Sequence, residues 1–327
     1  MNAQSVKNLK TETRFALTGT PIENSLSEIW SIFDFVMPGY LFTHSKFVNE
    51  YEKPIMNKDP GMLTQLNLRI QPYILRRMKQ DVLSDLPEKT EEKILVDLSD
   101  RQKKLYAAYL EHYRGELHID EEDAADIPEN RVRILSALMR LRQICCHPST
   151  FMDNYDGDSA KMDILMDLLS QAIAAGHRTL VFSQFTSMLD LIEKELVDRN
   201  IGYFCIRGDT KVADRSSYVK QFNEGTHDVF LISLKAGGTG LNLIGADMVI
   251  HVDPWWNPAV EDQATDRCYR IGQTRNVHVI KLLTKGTIEE KIYRLQQKKQ
   301  RLAEAVIEKQ EDLIGKLTKQ ELIEIFS

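Results

Sequence analysis

Between Asp262 and Gln273 the chain reads Asp-Gln-Ala-Thr-Asp-Arg-Cys-Tyr-Arg-Ile-Gly-Gln, with Arg267 and Arg270 three residues apart. On a helix that spacing puts both guanidiniums on one face, with Gln263 one turn earlier and able to brace Arg267. A guanidinium is a planar fork of donors that neutralises charge building on a transferring phosphoryl group. Where it operates, the effect is about 10³–10⁵ in rate. Two arginines on a helix are also the ordinary material of surface salt bridges, and the residues alone leave that reading open.

Three further stretches have chemical potential. Leu234-Lys-Ala-Gly-Gly-Thr-Gly-Leu-Asn242 follows an apolar run. Gly237, Gly238 and Gly240 allow close backbone approach there, while Thr239 and Asn242 offer side-chain hydrogen bonds. The stretch matches neither a Walker loop nor a dinucleotide fingerprint, and a tight structural turn is the competing reading. In Asp253-Pro-Trp-Trp-Asn-Pro258 two adjacent tryptophans cannot both enter one core from an extended segment. One of Trp255 and Trp256 is therefore expected at a surface, against a nucleic-acid backbone or a neighbouring wall. Leu17-Thr-Gly-Thr-Pro-Ile-Glu-Asn24 places the small hydroxyls of Thr18 and Thr20 around Gly19 at the end of an apolar run.

The elements that must position these residues follow from periodicity. Arg14–Thr18 reads as a short strand, and a helix from Asn24 to Phe35 puts Leu26, Ile29, Ile32 and Phe33 on one face. From Met37 to about Ser99 the pattern is irregular and mostly helical, broken by prolines. Long helices are expected over 100–117 and 131–146, joined by an acidic stretch at 120–126. Strands are then expected at 178–183, 202–206, 228–233, 248–252 and 277–283, with helices at 187–198, 213–222 and 258–269. That alternation predicts a parallel sheet covered on both faces. Capping boxes at Thr287–Glu290 and Thr318–Glu321 open two further helices.

Composition narrows the class. The 327 residues are 43% hydrophobic, which is enough for an ordinary core and about two domains. No apolar run approaches the ~18 residues of a membrane span, and residues 1–10 are polar, unlike a signal peptide. These features predict a soluble intracellular protein that does not engage membranes. The four cysteines form no Cys-x-x-Cys pair and no zinc spacing, so no metal site is expected. Net charge is −6, which argues against a uniformly basic nucleic-acid binder, but Lys281 to Arg301 carries seven Lys/Arg against Glu289 and Glu290.

Seven stretches in order resemble the Swi/Snf-type DNA-translocating ATPases of helicase superfamily two. They are Leu17–Asn24, Leu75-Arg-Arg-Met-Lys-Gln-Asp-Val82, Leu141-Arg-Gln-Ile-Cys-Cys-His-Pro148, Val181-Phe-Ser-Gln-Phe-Thr186, Ser233–Leu243, Asp253–Pro258 and Gln263–Gln273. The resemblance implies an α/β fold: a RecA-like parallel sheet with helices on both faces, mainly helical insertions, and a C-terminal brace helix. By this likeness residues 1–35 end a first RecA-like lobe, and 36–99 and 100–158 are helical insertions. Residues 159–286 form the second lobe, and 287–327 the brace and a last helix. Arg267 and Arg270 become arginine fingers toward the γ-phosphate, with Gln263, Gly238, Gly240 and Asn242 shaping the ATP cleft. Thr18, Gly19, Thr20, Gln184, Phe185, Thr239 and Trp255 lie on the DNA and coupling side.

The same likeness implies ATP with Mg²⁺ in the complete enzyme, and duplex DNA and a first RecA-like lobe as partners. RNA polymerase or another DNA-bound protein is a further partner it allows. Localisation would be cytoplasmic and nucleoid-associated in a bacterium, nuclear in a eukaryote. Two departures stand out. No Gly-x-x-x-x-Gly-Lys-Thr/Ser occurs, since Gly315-Lys316 is followed by Leu317, and no Asp-Glu-x-His box precedes Thr18. Arg207-Gly-Asp-Thr210 is shorter than the family's usual turn, although Thr210 could still cap the next helix. The expectation is therefore a C-terminal motor half, inactive by itself and binding no nucleotide tightly. The alternative is a non-catalytic docking module for DNA or a protein.

Overall fold

The computed structural model describes residues 2–8, 11–18, 26–56, 59–75, 86–117, 127–237 and 240–305. Residues 1–84 and 85–301 fall into separate compact units.

In the first unit the described elements are helical: α1 (Asn2–Lys7), α2 (Leu26–Val36), α3 (His44–Phe47), a π turn (Val48–Glu52), α4 (Lys53–Met56) and α5 (Pro60–Ile70). The apolar face expected for α2 is the one used, as Leu26, Ile29 and Phe33 pack with Leu41, Phe47, Tyr51 and Leu66. Asp59 starts α5 by accepting from the backbone N–H groups of Gly61 and Met62. The strand expected at 14–18 does not form. The segment is irregular, with Phe15 82% and Leu17 99% exposed. A strand needs a ladder partner, and the described residues of this unit contain none. Thr18 is exposed, whereas Gly19, Thr20 and residues 76–82 of the second motif lie outside the described residues.

The second unit is built on six parallel strands: β1 (Lys89–Val96), β2 (Thr179–Ser183), β3 (Tyr203–Ile206), β4 (Val229–Ser233), β5 (Met248–His251) and β6 (Val277–Thr284). Their order is β1-β6-β5-β2-β4-β3. Between the strands run α6 (Asp100–Glu116), α7 (Ile127–Cys146), α8 (Ala160–Ala174), α9 (Thr186–Asp198), α10 (Val212–Asn223), the single turn α11 (Leu234–Gly237) and α12 (Pro258–Thr265); α13 (Ile288–Ala305) follows β6. Central strands β2 and β4 are buried at every position, as a sheet covered on both faces requires. Leu180, Phe182, Phe230 and Ile232 face a core shared with α10 and α12. The alternate residues Val181, Val229 and Leu231 face one shared with α8 and α9.

Five strands match expectation closely, but β1 corrects the mostly helical reading of the stretch ending at Ser99. It pairs with β6 from Lys89↔Val277 to Val96↔Thr284. Its pattern, Lys-Thr-Glu-Glu-Lys-Ile-Leu-Val, is half-exposed and polar because it sits at the sheet edge. A third core joins α6, α7 and the start of α13 through Tyr106, Leu138, Leu141, Ile144, Ile288, Ile292 and Leu295.

Details of the caps also differ from expectation. Thr210 does not cap α10; its hydroxyl accepts from Arg207 N–H at 2.9 Å, and α10 has no side-chain cap bond. At α13, Glu290 accepts from Gly286 N–H at 2.8 Å, which lowers its pKa. Thr287 accepts from Glu289 N–H and donates to the Thr284 carbonyl, so the box is displaced by one residue. The second box at 318–321, the acidic stretch at 120–126, and the side chains of Lys298, Lys299 and Arg301 lie outside the described residues. No helix among the described residues is long and apolar enough to cross a membrane.

Candidate functional site

Asn257 starts α12 by accepting from Ala259 N–H at 3.0 Å, with Pro258 at the first helical position. The helix ends at Thr265, four residues before the expected Tyr269. There the N–H groups of Cys268 and Tyr269 both turn to the Thr265 carbonyl, tightening the chain into short turns. Arg267 and Arg270 therefore stand on these turns, not on a common helical face. Gln263 does brace Arg267, but through its backbone: the Arg267 Nε donates to the Gln263 carbonyl at 3.1 Å.

The turn is laced to the segment leading into β5. Leu243 N–H donates to the Arg267 carbonyl at 2.9 Å, and Arg270 Nη1 reaches the Leu241 carbonyl at 3.4 Å. Gln273 is buried, donates to the Ile244, Ala246 and Cys268 carbonyls, and accepts from Thr274 and Arg275 N–H. These bonds bring Gln263, Arg267 and Arg270 beside Gly240 and Asn242. Gly240 adopts φ +54 with open space where a Cβ would stand, and Asn242 is exposed. Gly238 and Thr239 lie outside the described residues.

Neither guanidinium forms an ion pair with a carboxylate among the described residues. Arg267 and Arg270 are both half-buried. Burial first, and the charge of Arg270 second, hold the pKa of Arg267 below the usual arginine value. The Asp266 carboxylate offsets this only in part, so two half-buried like charges with no ion pair among the described residues make a site for an added anion.

A second cluster lies where β2 and β5 run side by side. The chain leaves β2 for β3 and β4 on one side, then crosses to the other side for β5 and β6, the arrangement that opens a crevice beyond the strand ends. Here the crevice is filled by the buried carboxylate of Asp253, which accepts from Ser183 Oγ at 2.6 Å and faces Arg142 at 3.6 Å. Arg142, only 2% exposed, also donates to the Pro254 carbonyl and to Gln184 Oε1 at 3.1 Å. Its guanidinium lies 5.8 Å from the Phe185 ring centroid and 4.7 Å from that of Trp256. Gln184, Phe185 and the tryptophan loop are thus brought together. Both tryptophans are half-buried and pack against the edges of different cores, Trp255 beside α12 and Trp256 beside α7 and α13, so neither is fully at a surface.

Next to it sits a fully buried ion pair. Lys161 Nζ lies 2.7 Å from Glu289 Oε2 and donates to the Val252 carbonyl at 2.7 Å. Burial opposes the Lys161 ammonium, but Glu289 outweighs it and raises the lysine pKa. Burial also raises Asp253, against the pull of Arg142. Sequence reasoning gave Arg142, Lys161, Asp253 and Glu289 no charge-pairing role. A signal existed: Lys161 falls in phase with Leu165 and Leu169, and Glu289 with Ile292, so both charges lie on apolar helix faces. Among the described residues no acidic, His or Cys group could hold a metal ion.

The fold is that of a RecA-like ATPase domain, a parallel α/β sheet with helices on both faces, here carrying a half-buried arginine turn. Residues 1–150 match the SNF2-related domain family, and residues 160–272 the helicase conserved C-terminal domain. The Sulfolobus solfataricus SWI2/SNF2 ATPase core in complex with dsDNA is 35% identical with a TM-score of 0.62, covering 99% of this chain and 68% of that one. The Bacillus subtilis protein YwqA, named as a candidate ATP-dependent helicase/translocase, is 40% identical over 99% of this chain and 36% of its own length. The TATA-binding protein-associated factor MOT1 of Saccharomyces cerevisiae is 34% identical over 99% of this chain and 20% of its own. The chain belongs to the SNF2-related family of helicase-like ATPases, and it spans about a third or less of the length of these two curated relatives.

Proposed function

We propose that this chain is the C-terminal motor half of a DNA-dependent ATPase that translocates on duplex DNA, and that Arg267 and Arg270 complete its ATP site. The observation that carries this is the pair of half-buried guanidiniums that form no ion pair among the described residues, Asp266 acting on Arg267 less than burial and Arg270 do. Their chemistry fits the anionic end of ATP, whose terminal phosphoryl group is transferred to water in such enzymes. Arg267, held at its Nε by the Gln263 carbonyl, presents its remaining nitrogens in a fixed orientation. Preorganised cations stabilise charge as it develops, without reorganising at the moment of reaction. The 327 residues contain no phosphate cradle, and no Mg²⁺ ligand is assigned among them.

In this reading residues 159–286, with β1 added at the edge of their sheet, act as the second motor lobe and 287–327 as the brace. Gln184, Phe185 and Trp255 lie on the DNA side in the same reading; that the lobe meets duplex DNA at all is supported by the relative solved with double-stranded DNA. Thr18, Gly19 and Thr20 couple nucleotide state to DNA grip.

The test mixes this chain with a polypeptide carrying a family nucleotide-binding lobe and measures ATP hydrolysis with and without duplex DNA. DNA-stimulated hydrolysis is expected from the mixture and not from this chain alone. Arg270→Ala should lower it by about 10³-fold or more. Hydrolysis indifferent to that substitution sinks the finger assignment. DNA binding without any restored hydrolysis favours a docking module instead.

A further inference from the structure

Beyond the last ladder bond of β5, the backbone of Val252–Trp255 is held by side chains from four helices. The Val252 carbonyl accepts from Lys161 of α8, the Pro254 carbonyl from Arg142 of α7, and the Trp255 carbonyl from Gln296 of α13. Trp255 N–H donates to Glu261 of α12 at 2.6 Å. Two of these four holds depend on α13, because Glu289 fixes Lys161 and Gln296 acts directly. Glu289 and Gln296 stand seven residues apart, on one face of that helix.

We infer that Lys161, Glu289 and Gln296 are positioning residues for Arg267 and Arg270, acting through the 252–257 segment and α12. The segment runs straight into the Asn257 cap of α12, and this eight-residue helix ends at the arginine turn. Any rotation or slide of the segment is carried by so short a helix to its far end. Buried ion pairs are poor stabilisers compared with apolar packing, but charge-assisted hydrogen bonds are directional where apolar contacts tolerate sliding. Placing them on the Val252 and Pro254 carbonyls, two residues apart, fixes orientation, which is what a guanidinium pair aimed at a phosphoryl group requires. The meaning given to the arginines rests on the proposed function; the mechanical link does not.

The experiment is hydrogen–deuterium exchange on the full chain, without nucleotide. It compares the unaltered protein with the paired variant Lys161→Met/Glu289→Leu and the single variant Gln296→Leu. The paired variant leaves no buried charge alone, although it frees the Thr284 N–H, so its unfolding midpoint should fall far less than that of Lys161→Met alone. In both variants the amides of 255–271 should exchange about tenfold faster while β2 and β4 keep their protection. Unaltered exchange over 255–271 in folded variants would overturn the inference, and so would a uniform rise across the sheet. Should the paired variant not fold, Gln296→Leu removes only a neutral group and decides alone. Because no ATP is present, failure of the finger assignment leaves this result standing, and failure here leaves that assignment standing.

Discussion

Arg267 is disfavoured as a cation twice over, first by burial and then by the charge of Arg270 three residues further on. Removing Arg270 therefore relieves repulsion while giving up only a 3.4 Å contact to the Leu241 carbonyl. Arg270→Ala should change folding stability by no more than about 0.5 kcal/mol, read from thermal melts. The same variant should abolish most hydrolysis in the complete enzyme. Arg270→Lys should rescue little, because a point charge lacks the planar fork.

Lys161 and Glu289 are both fully excluded from solvent. Lys161→Met alone strands the carboxylate, which retains only the Thr284 N–H and hydroxyl and the distant Cys146 thiol. A loss of about 3–5 kcal/mol is expected in urea unfolding, larger than for either exposed lysine-to-methionine change at Lys103 or Lys220. A loss below 1 kcal/mol would show that the site readily admits water.

His251 stacks on Phe182 at 5.3 Å and shares a 3.2 Å hydrogen bond with Thr265, the last residue of α12. Burial lowers its pKa from the ordinary 6.5 to about 4, with Glu261 and Glu91 pulling upward and Lys281 and Lys89 downward. The unfolded chain then takes up the proton first as pH falls. Stability is complete above pH 6.5 and is lost between 6.5 and about 4, by an amount on the order of 3 kcal/mol. Melts of His251→Phe should be measurably flatter across that window. An identical slope would count against a neutral buried imidazole.

The cysteines should be chemically quiet. Cys145 and Cys268 are pushed up to about 12 by burial, Cys146 well above the usual thiol range, and half-buried Cys205 to about 11. Brief alkylation at pH 8 should modify none of them in the folded protein and all four in guanidinium, as counted by mass spectrometry.

Most of the sheet was legible because its strands are short, mostly apolar and separated by helices of clear period. Edge strand β1 was not, since Lys89, Glu91, Glu92 and Lys93 hide its pairing in charge. Its partner is 188 residues away in sequence, beyond any local signal. The arginine turn was legible as composition but not as geometry. The shared Thr265 carbonyl, which ends α12 early, is a hydrogen-bond choice that periodicity does not reveal. The buried charge cluster escaped because each ion pair joins elements distant in the chain, Arg142 to Asp253 and Lys161 to Glu289. A charge reads as exposed until its partner is known.

The pairing of β1 with β6 has a consequence for synthesis. At about 5–20 residues per second, the ribosome needs roughly 10–40 s after making β1 to deliver its neighbour. During that interval the Ile94–Leu95–Val96 end of the strand has no mate, and Arg142 and Lys161 have yet to meet their carboxylates. The nascent chain is thus exposed to misassociation until β6 completes the sheet, and until α13 then supplies Glu289 to Lys161.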